Sequence, residues 1–344
     1  MSLSSLMLHT LFFFFFFFFT TGFCSSSISA SLLHHRYLTV DYYAKTCPPL
    51  EQIVGFVTSQ KFKDSPATAP ATIRLFFHDC FVQGCDGSIL IASSKPGSEG
   101  LPEKESGENK EISADAYDVI ETAKAMVEKK CPGVVSCADI LALAARDYIH
   151  LAGGPYYPVK KGRWDGKQTS MASLVYSNVP QANSTIDSLL QLFSSKGLTL
   201  NDLVVLSGAH SIGFAHCKHF VNRLYNFQGT NKSDPDMDPR LLKSLRMSCP
   251  QHGANIGVVA PFDATTPFAF DNAYYGNLQR KLGLLATDKA LFLDPRTKPL
   301  VQTLANDKNK FFQDFSSAME RLGNIGVKRG KKHGEIRRVC NMHL

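Results

Sequence analysis

The chain has 344 residues, of which 44% are hydrophobic and 19% charged. That is the make-up of a globular protein long enough to bury a real core, and it excludes a disordered chain. The net charge of +7 comes with no Lys/Arg tract longer than three residues outside the segment Lys328–Lys332, so no nucleic acid partner is expected; an acidic polymer suits the charge better, and a plain soluble basic surface suits it best.

In chain order, the first feature is Leu11 followed by eight phenylalanines, Phe12–Phe19, and then Thr20, Thr21, Gly22 and Ser25–Ser27. The apolar run is too short to span a bilayer. It reads as the apolar centre of a signal peptide over residues 1–30, with cleavage between Gly22 and Ala30, although the segment before it carries no Lys or Arg. A retained anchor is the alternative. Residues 31–344 are then expected to form a single domain.

Glu51–Lys63 reads as a helix ending before Pro66. Ala71–His78 reads as a second helix, cut off by the loop between Cys80 and Cys85. Ser94–Asn109, rich in Gly, Ser and Glu, reads as a long surface loop. Ala116–Lys130 places Tyr117, Ile120, Ala123 and Val127 on one helical stripe. Cys137–Tyr148 is apolar enough for a buried helix, and Gly153–Pro158 breaks the chain. Ile186–Lys196 is amphipathic and stops at Gly197. Asn201 is expected to N-cap Asp202–Leu206. Helices are also expected over His216–Tyr225, Pro239–Met247, Asn272–Lys281, Pro299–Asn306 and Lys308–Leu322. Strand signals are few and short, and no fixed-period repeat occurs. The expected fold class is all-α with minor short strands. Its two helical lobes cover about residues 37–180 and 181–342.

Nine cysteines are present, and Cys24 falls in the expected signal peptide. The even number left implies disulfides in a secreted chain. No C-x2-C pair occurs, so zinc is not expected. Only Cys80 and Cys85 are paired by proximity; the other pairings stay open.

Two histidine stretches carry the chemistry. Residues 74–88 run Arg-Leu-Phe-Phe-His-Asp-Cys-Phe-Val-Gln-Gly-Cys-Asp-Gly-Ser, and residues 207–217 run Ser-Gly-Ala-His-Ser-Ile-Gly-Phe-Ala-His-Cys. On a helix, Arg74 and His78 share one face a turn apart. A fixed cation beside a neutral imidazole can move one proton while stabilising developing negative charge. His210 lies in a Gly-flanked apolar context. A histidine ligating iron, faced by a His–Arg pair, would make a haem site that splits peroxide. Taken alone, His210 reads more readily as a core histidine, and a helix N-cap is the alternative reading of Asp288.

Over about residues 37–342 the chain resembles the secreted plant haem peroxidases (class III). The resemblance rests on Tyr42-Tyr43…Cys47-Pro48, Arg74-Leu75-Phe76-Phe77-His78-Asp79-Cys80, Gly84-Cys85-Asp86, Cys131-Pro132-Gly133-Val134-Val135-Ser136-Cys137-Ala138-Asp139-Ile140, Ser207-Gly208-Ala209-His210, Phe270-Asp271-Asn272, and Asp288 before Leu291-Phe292. It implies one haem b, with His210 as axial ligand to iron and Asp288 accepting from its other nitrogen. It implies His78 as general base and acid, Arg74 as charge stabiliser, Asn109 as acceptor of the His78 N–H, Phe77 as a wall of the haem pocket and Pro180 at the donor edge. The implied reaction reduces hydrogen peroxide to water and oxidises small phenolic donors by single electrons through an oxoferryl haem. Cell-wall phenolic cross-linking, lignin-type polymerisation and peroxide removal are the implied roles.

The resemblance further implies two calcium ions, one held by Asp79, Val82, Gly84, Asp86 and Ser88, the other by Ser211, Asp263, Thr266, Ala269 and Asp271. It implies the disulfides Cys47–Cys131, Cys80–Cys85, Cys137–Cys340 and Cys217–Cys249, a buried Asp139–Arg163 pair, and a secreted, extracellular monomer. Asn183 and Asn231 open N-glycosylation sequons. Three departures stand out: segment Glu105–Tyr117 lacks the usual Asn-rich stretch, Ser211 replaces a usual threonine, and His219 stands where phenylalanine is common near the haem edge. A non-catalytic wall glycoprotein binding acidic polysaccharide is the competing reading; loss of Arg74, His78 or His210 would have favoured it.

Overall fold

The computed structural model describes residues 38–92, 100–252 and 257–342, so the expected signal peptide lies outside the described residues. Helices are α1 (Leu50–Asp64), α2 (Thr68–Val82), α3 (Ala114–Lys130), α4 (Cys137–Leu151), α5 (Ala172–Asn178), α6 (Ile186–Ser195), α7 (Leu200–Ser207), α8 (Val221–Tyr225), α9 (Pro239–Ser248), α10 (Ala273–Gln279), α11 (Ala286–Leu293), α12 (Lys298–Asn306), α13 (Lys308–Leu322) and α14 (Gly330–His333). Strands β1 (Phe214–His216) and β2 (Val259–Pro261) pair antiparallel, with Ala215 opposite Ala260.

The first half is built around α4. Every residue from Cys137 to Ile149 is buried, so this helix is covered on all sides, by α1, α2 and α3. The hydroxyl of Ser136 accepts the Asp139 N–H and starts the helix. Asp139 is tolerated inside because its charge is met there: Arg163 Nη1 lies 2.8 Å from it, and the Tyr43 hydroxyl donates to it at 2.9 Å. In the second half α13 packs on α7 and α10 on α12, around Phe270, Tyr275, Phe311 and Phe315. The chain after α13 returns to the first half. There Cys85 N–H donates to Ile325 O at 2.9 Å, and the buried Arg337 donates to Gly87 O at 2.7 Å. Gly84, at φ +113°, allows this crossing, since a Cβ there would lie 2.6 Å from Gly326. The disulfides are Cys47–Cys131, Cys80–Cys85, Cys137–Cys340 and Cys217–Cys249.

Several element expectations need correction. The second helix does not stop before Cys80; it runs to Val82, because Asp79–Val82 are buried and the disulfide leaves from its last turn. The cap of α7 is Thr199, not Asn201: Thr199 accepts the Asp202 N–H while the Asp202 carboxylate accepts the Thr199 N–H. The span His216–Tyr225 is not one helix. His216 ends β1, a 3-10 turn covers Cys217–His219, and only Val221–Tyr225 is α-helical. Segment 100–109 is not all surface, since Glu103, Ser106 and Asn109 are buried. Helices α5, α11 and α14 were not expected, being short and weakly periodic.

Candidate active site

A cavity of about 470 Å³ lies between α2 on one side and the segment Ser207–His219 on the other. Arg74, Phe77, His78, Pro180, His210 and Asp288 all line it. Much of the remaining wall is apolar, including Pro70, Ala71, Leu203, Phe262 and Phe315. Such a slot with few polar groups is the usual form of a cofactor site.

On the α2 side, Arg74 and His78 emerge one turn apart, with Arg74 Nε 3.4 Å from His78 Nε2. His78 Nδ1 lies 2.6 Å from Asn109 Oδ1. The orientation of that amide follows from its other end, where Asn109 Nδ2 donates to Glu103 O at 2.8 Å. An acceptor oxygen therefore faces Nδ1, which carries the proton and leaves the Nε2 lone pair on the cavity side. Burial, and then the Arg74 charge, lower the His78 pKa to about 3, against the opposing pull of Asn109. The imidazole is thus a neutral base at ordinary pH. Arg74 Nη2 donates to Glu108 O at 2.9 Å, and its guanidinium stays charged. Phe77 stacks on Phe81 with ring centroids 4.0 Å apart.

On the other side, His210 sits in a 3-10 turn, Gly208–Ser211, that follows α7. Gly208 is required there, because a Cβ would collide with the Tyr275 hydroxyl and the Phe311 ring. His210 Nδ1 lies 2.8 Å from Asp288 Oδ1. Asp288 is not an N-cap but the third residue of α11, and its Oδ2 accepts the Leu285 N–H at 2.8 Å. One carboxylate thus supports the helix start and the histidine together. Burial opposes its ionisation, but His210 and the hydrogen bonds outweigh that and hold its pKa below the usual value. With Nδ1 engaged, His210 presents Nε2 as its free donor atom. A single free imidazole nitrogen on one wall and a neutral base beside a cation on the other fit a haem between them.

Two residues at this centre escaped sequence reasoning. Phe262 stacks on His210 at 4.1 Å with a 3° interplanar angle, and the Tyr274 hydroxyl donates to Asp288 Oδ1 at 2.9 Å. Tyr274 follows the Phe270-Asp271-Asn272 block closely enough to have been suspected; nothing local marks Phe262.

The expected calcium ligands also gather into two groups. Asp79, Asp86 and Ser88 are buried together around the Cys80–Cys85 turn that contains Val82 and Gly84. Asp79 accepts the Gly87 N–H at 3.0 Å, and Asp86 accepts the Ser88 N–H at 3.1 Å. In the second group, Ser211 Oγ donates to Ala269 O at 3.0 Å and accepts the Asp271 N–H at 2.9 Å. Thr266 Oγ1 donates to Asp271 at 3.2 Å. Asp263 Oδ2 is buried without a hydrogen-bond partner, as an atom meant for a cation would be. Among the described residues no three His, Cys, Asp or Glu cluster as metal ligands. Each group has two carboxylates and depends on hydroxyls and carbonyls for the rest, which is hard-cation chemistry. Asn183 and Asn231 are both exposed.

The family model described as Peroxidase matches residues 55–307. The chain is 62% identical over 310 residues to Peroxidase 19 of Arabidopsis thaliana, covering 90% of this chain and 89% of that protein. It is 47% identical to Peroxidase 41, covering 88% of this chain and 90% of that one, and 46% identical to Peroxidase 65, covering 88% of each; both are from the same plant. Likeness of this extent, over a chain whose two histidine stretches meet across one cavity, has one reading: the chain belongs to the class III plant peroxidases, whose cofactor is haem, and it is a peroxidase.

Proposed function

We propose that the protein is a secreted peroxidase that reduces hydrogen peroxide with electrons from small phenolic donors. The observation that carries this reading is the pair of histidines across the cavity, one backed by Asp288 and one by Asn109 and Arg74. His210 would hold haem, which would supply the redox chemistry that carries two electrons from the donors to peroxide. Asp288 keeps the His210 Nδ1 proton in a strong hydrogen bond, so the imidazole is electron-rich at Nε2. His78 takes a proton from peroxide at Nε2 and returns it to the departing oxygen, while Arg74 stabilises the negative charge on that oxygen. Phe77 bars bulky donors from the base, and donors deliver electrons at the edge near Pro180. The balance is two donor molecules giving two electrons and two protons, and one peroxide leaving as two waters. Cross-linking of wall phenolics and lignin-type polymerisation are the roles that fit such donors. The basic surface suits an acidic wall polysaccharide, Asn183 and Asn231 suit glycans, and the working unit is a monomer. An absorption spectrum of the purified protein before and after peroxide tests the reading. A haem band that shifts with peroxide and returns with a phenol is expected; a haem-loaded protein indifferent to peroxide would overturn it.

The two calcium ions belong to the same proposal. Asp79 directly follows His78, and Ser211 directly follows His210, so each ion would brace the backbone beside a haem-facing histidine. Removing the ion at the first site leaves the buried Asp79 and Asp86 to repel one another. Exhaustive chelation should lower peroxide consumption and alter the haem band before helix content falls, and calcium should restore both. Full activity in protein proved calcium-free by metal analysis would remove this mechanism.

A further inference from the structure

The strap Glu108–Glu111 does three things within four residues. Glu108 O accepts from Arg74 Nη2 at 2.9 Å, and Asn109 Oδ1 faces His78 Nδ1 at 2.6 Å. Glu111 then reaches the other half of the molecule: its Oε2 lies 2.7 Å from His219 Nε2, and its Oε1 pairs with Lys218. Glu111 and His219 both line the cavity, while Lys218 is mostly exposed, so this three-residue clasp stands at the cavity rim. The Glu111 side chain is 12% exposed, sheltered enough for the contacts to order the strap, and the Lys218 ammonium and the His219 imidazole converge on its one carboxylate. The strap's other fastenings, from Asn109 to Glu103 O and to Ser106 Oγ, lie within its own half.

We infer that Glu111 is a positioning residue: by clasping Lys218 and His219 across the cavity mouth, it holds Arg74 and His78 in register with the opposite wall and narrows the donor entrance. This rests on the peroxidase reading of the site. The consequence is a trade. Releasing the clasp lets the strap carry Asn109 and the Glu108 carbonyl away from His78 and Arg74, which slows the peroxide step. The same release widens the mouth, which favours bulky donors. A residue that merely supported the fold would, on removal, depress both steps.

The test uses the haem-loaded protein with Glu111→Ala, and with Glu111→Lys combined with Lys218→Glu, which rebuilds the pair with its charges exchanged. Stopped-flow reaction with peroxide should slow on the order of tenfold in Glu111→Ala. Oxidation of a bulky phenol at saturating peroxide should rise in the same variant. Amide hydrogen exchange over residues 103–113 should speed up, a readout independent of turnover. The exchanged pair should recover all three. If Glu111→Ala leaves the peroxide step unchanged, or slows both steps together, the clasp has no positioning role, while an active wild type keeps the peroxidase reading intact. Wild type that does not turn over peroxide would sink both.

Discussion

Replacing His78 with alanine should slow peroxide consumption by on the order of 10²–10⁴ while haem stays bound, because the role proposed for His78 is general acid–base catalysis and not iron ligation. His78 is buried, neutral and oriented by Asn109, so the base function proposed for it rests on its Nε2. Arg74→Leu should slow the same step by removing charge stabilisation. His210→Ala should instead loosen haem, visible as loss of the haem band on gel filtration. The pH dependence follows from the same geometry. With its pKa near 3, His78 remains a free base down to strong acid, so the rate constant should be flat between about pH 5 and 8 and fall only when the imidazole protonates below that range. A His78→Ala protein reacting with peroxide at the wild-type rate would refute the assignment.

Removing the Cys137–Cys340 bridge should cost the fold nearly as dearly as the first change costs catalysis. The bridge joins residues 203 apart in sequence. In the chain-entropy account, closing so long a loop constrains the unfolded chain by about 5 kcal/mol, and native strain can only reduce the figure. The tail it secures also holds the buried Arg337, which donates to Gly87 O and to Cys340 O and lies 3.7 Å from Asp165. Freeing the tail therefore threatens a buried cation as well as a loop. The Cys137→Ala, Cys340→Ala double variant should lose about 3–5 kcal/mol in urea unfolding. An unchanged midpoint, or mass mapping that finds Cys340 free in the native protein, would rule out this role.

Local physics made a large part of this protein readable in advance. Arg74 and His78 share a face because four residues advance a helix by about one turn whatever surrounds it. The stripe Tyr117, Ile120, Ala123 and Val127 and the stop at Gly197 are local in the same sense, and the helices found there, Ala114–Lys130 and Ile186–Ser195, keep close to the expected spans. Where two neighbours could serve equally, local reading failed: Thr199 and Asn201 are both good caps, and the extended backbone of Thr199 decided between them. Short helices such as Ala286–Leu293 carry too few turns for periodicity to register.

The site itself was decided by chain path. Asp288 meets His210 across 78 residues, and Asn109 meets His78 across 31. No spacing rule links such pairs; the family resemblance suggested both, and α10, packed on both the Gly208–Ser211 turn and α11, brings Asp288 to His210. Glu103 looked like surface in a polar segment, yet it is buried, and its carbonyl fixes the Asn109 amide. His219 was marked in the sequence only as an oddity. Its bond to Glu111, 108 residues away, exists because the strap and the 3-10 turn after β1 face each other across the cavity. The sequence determined which side chains could do the chemistry, since residue type and helical period are local properties. Only the tertiary structure decided which of them meet, since hydrogen bonds act over a few ångströms and the fold alone brings distant residues that close.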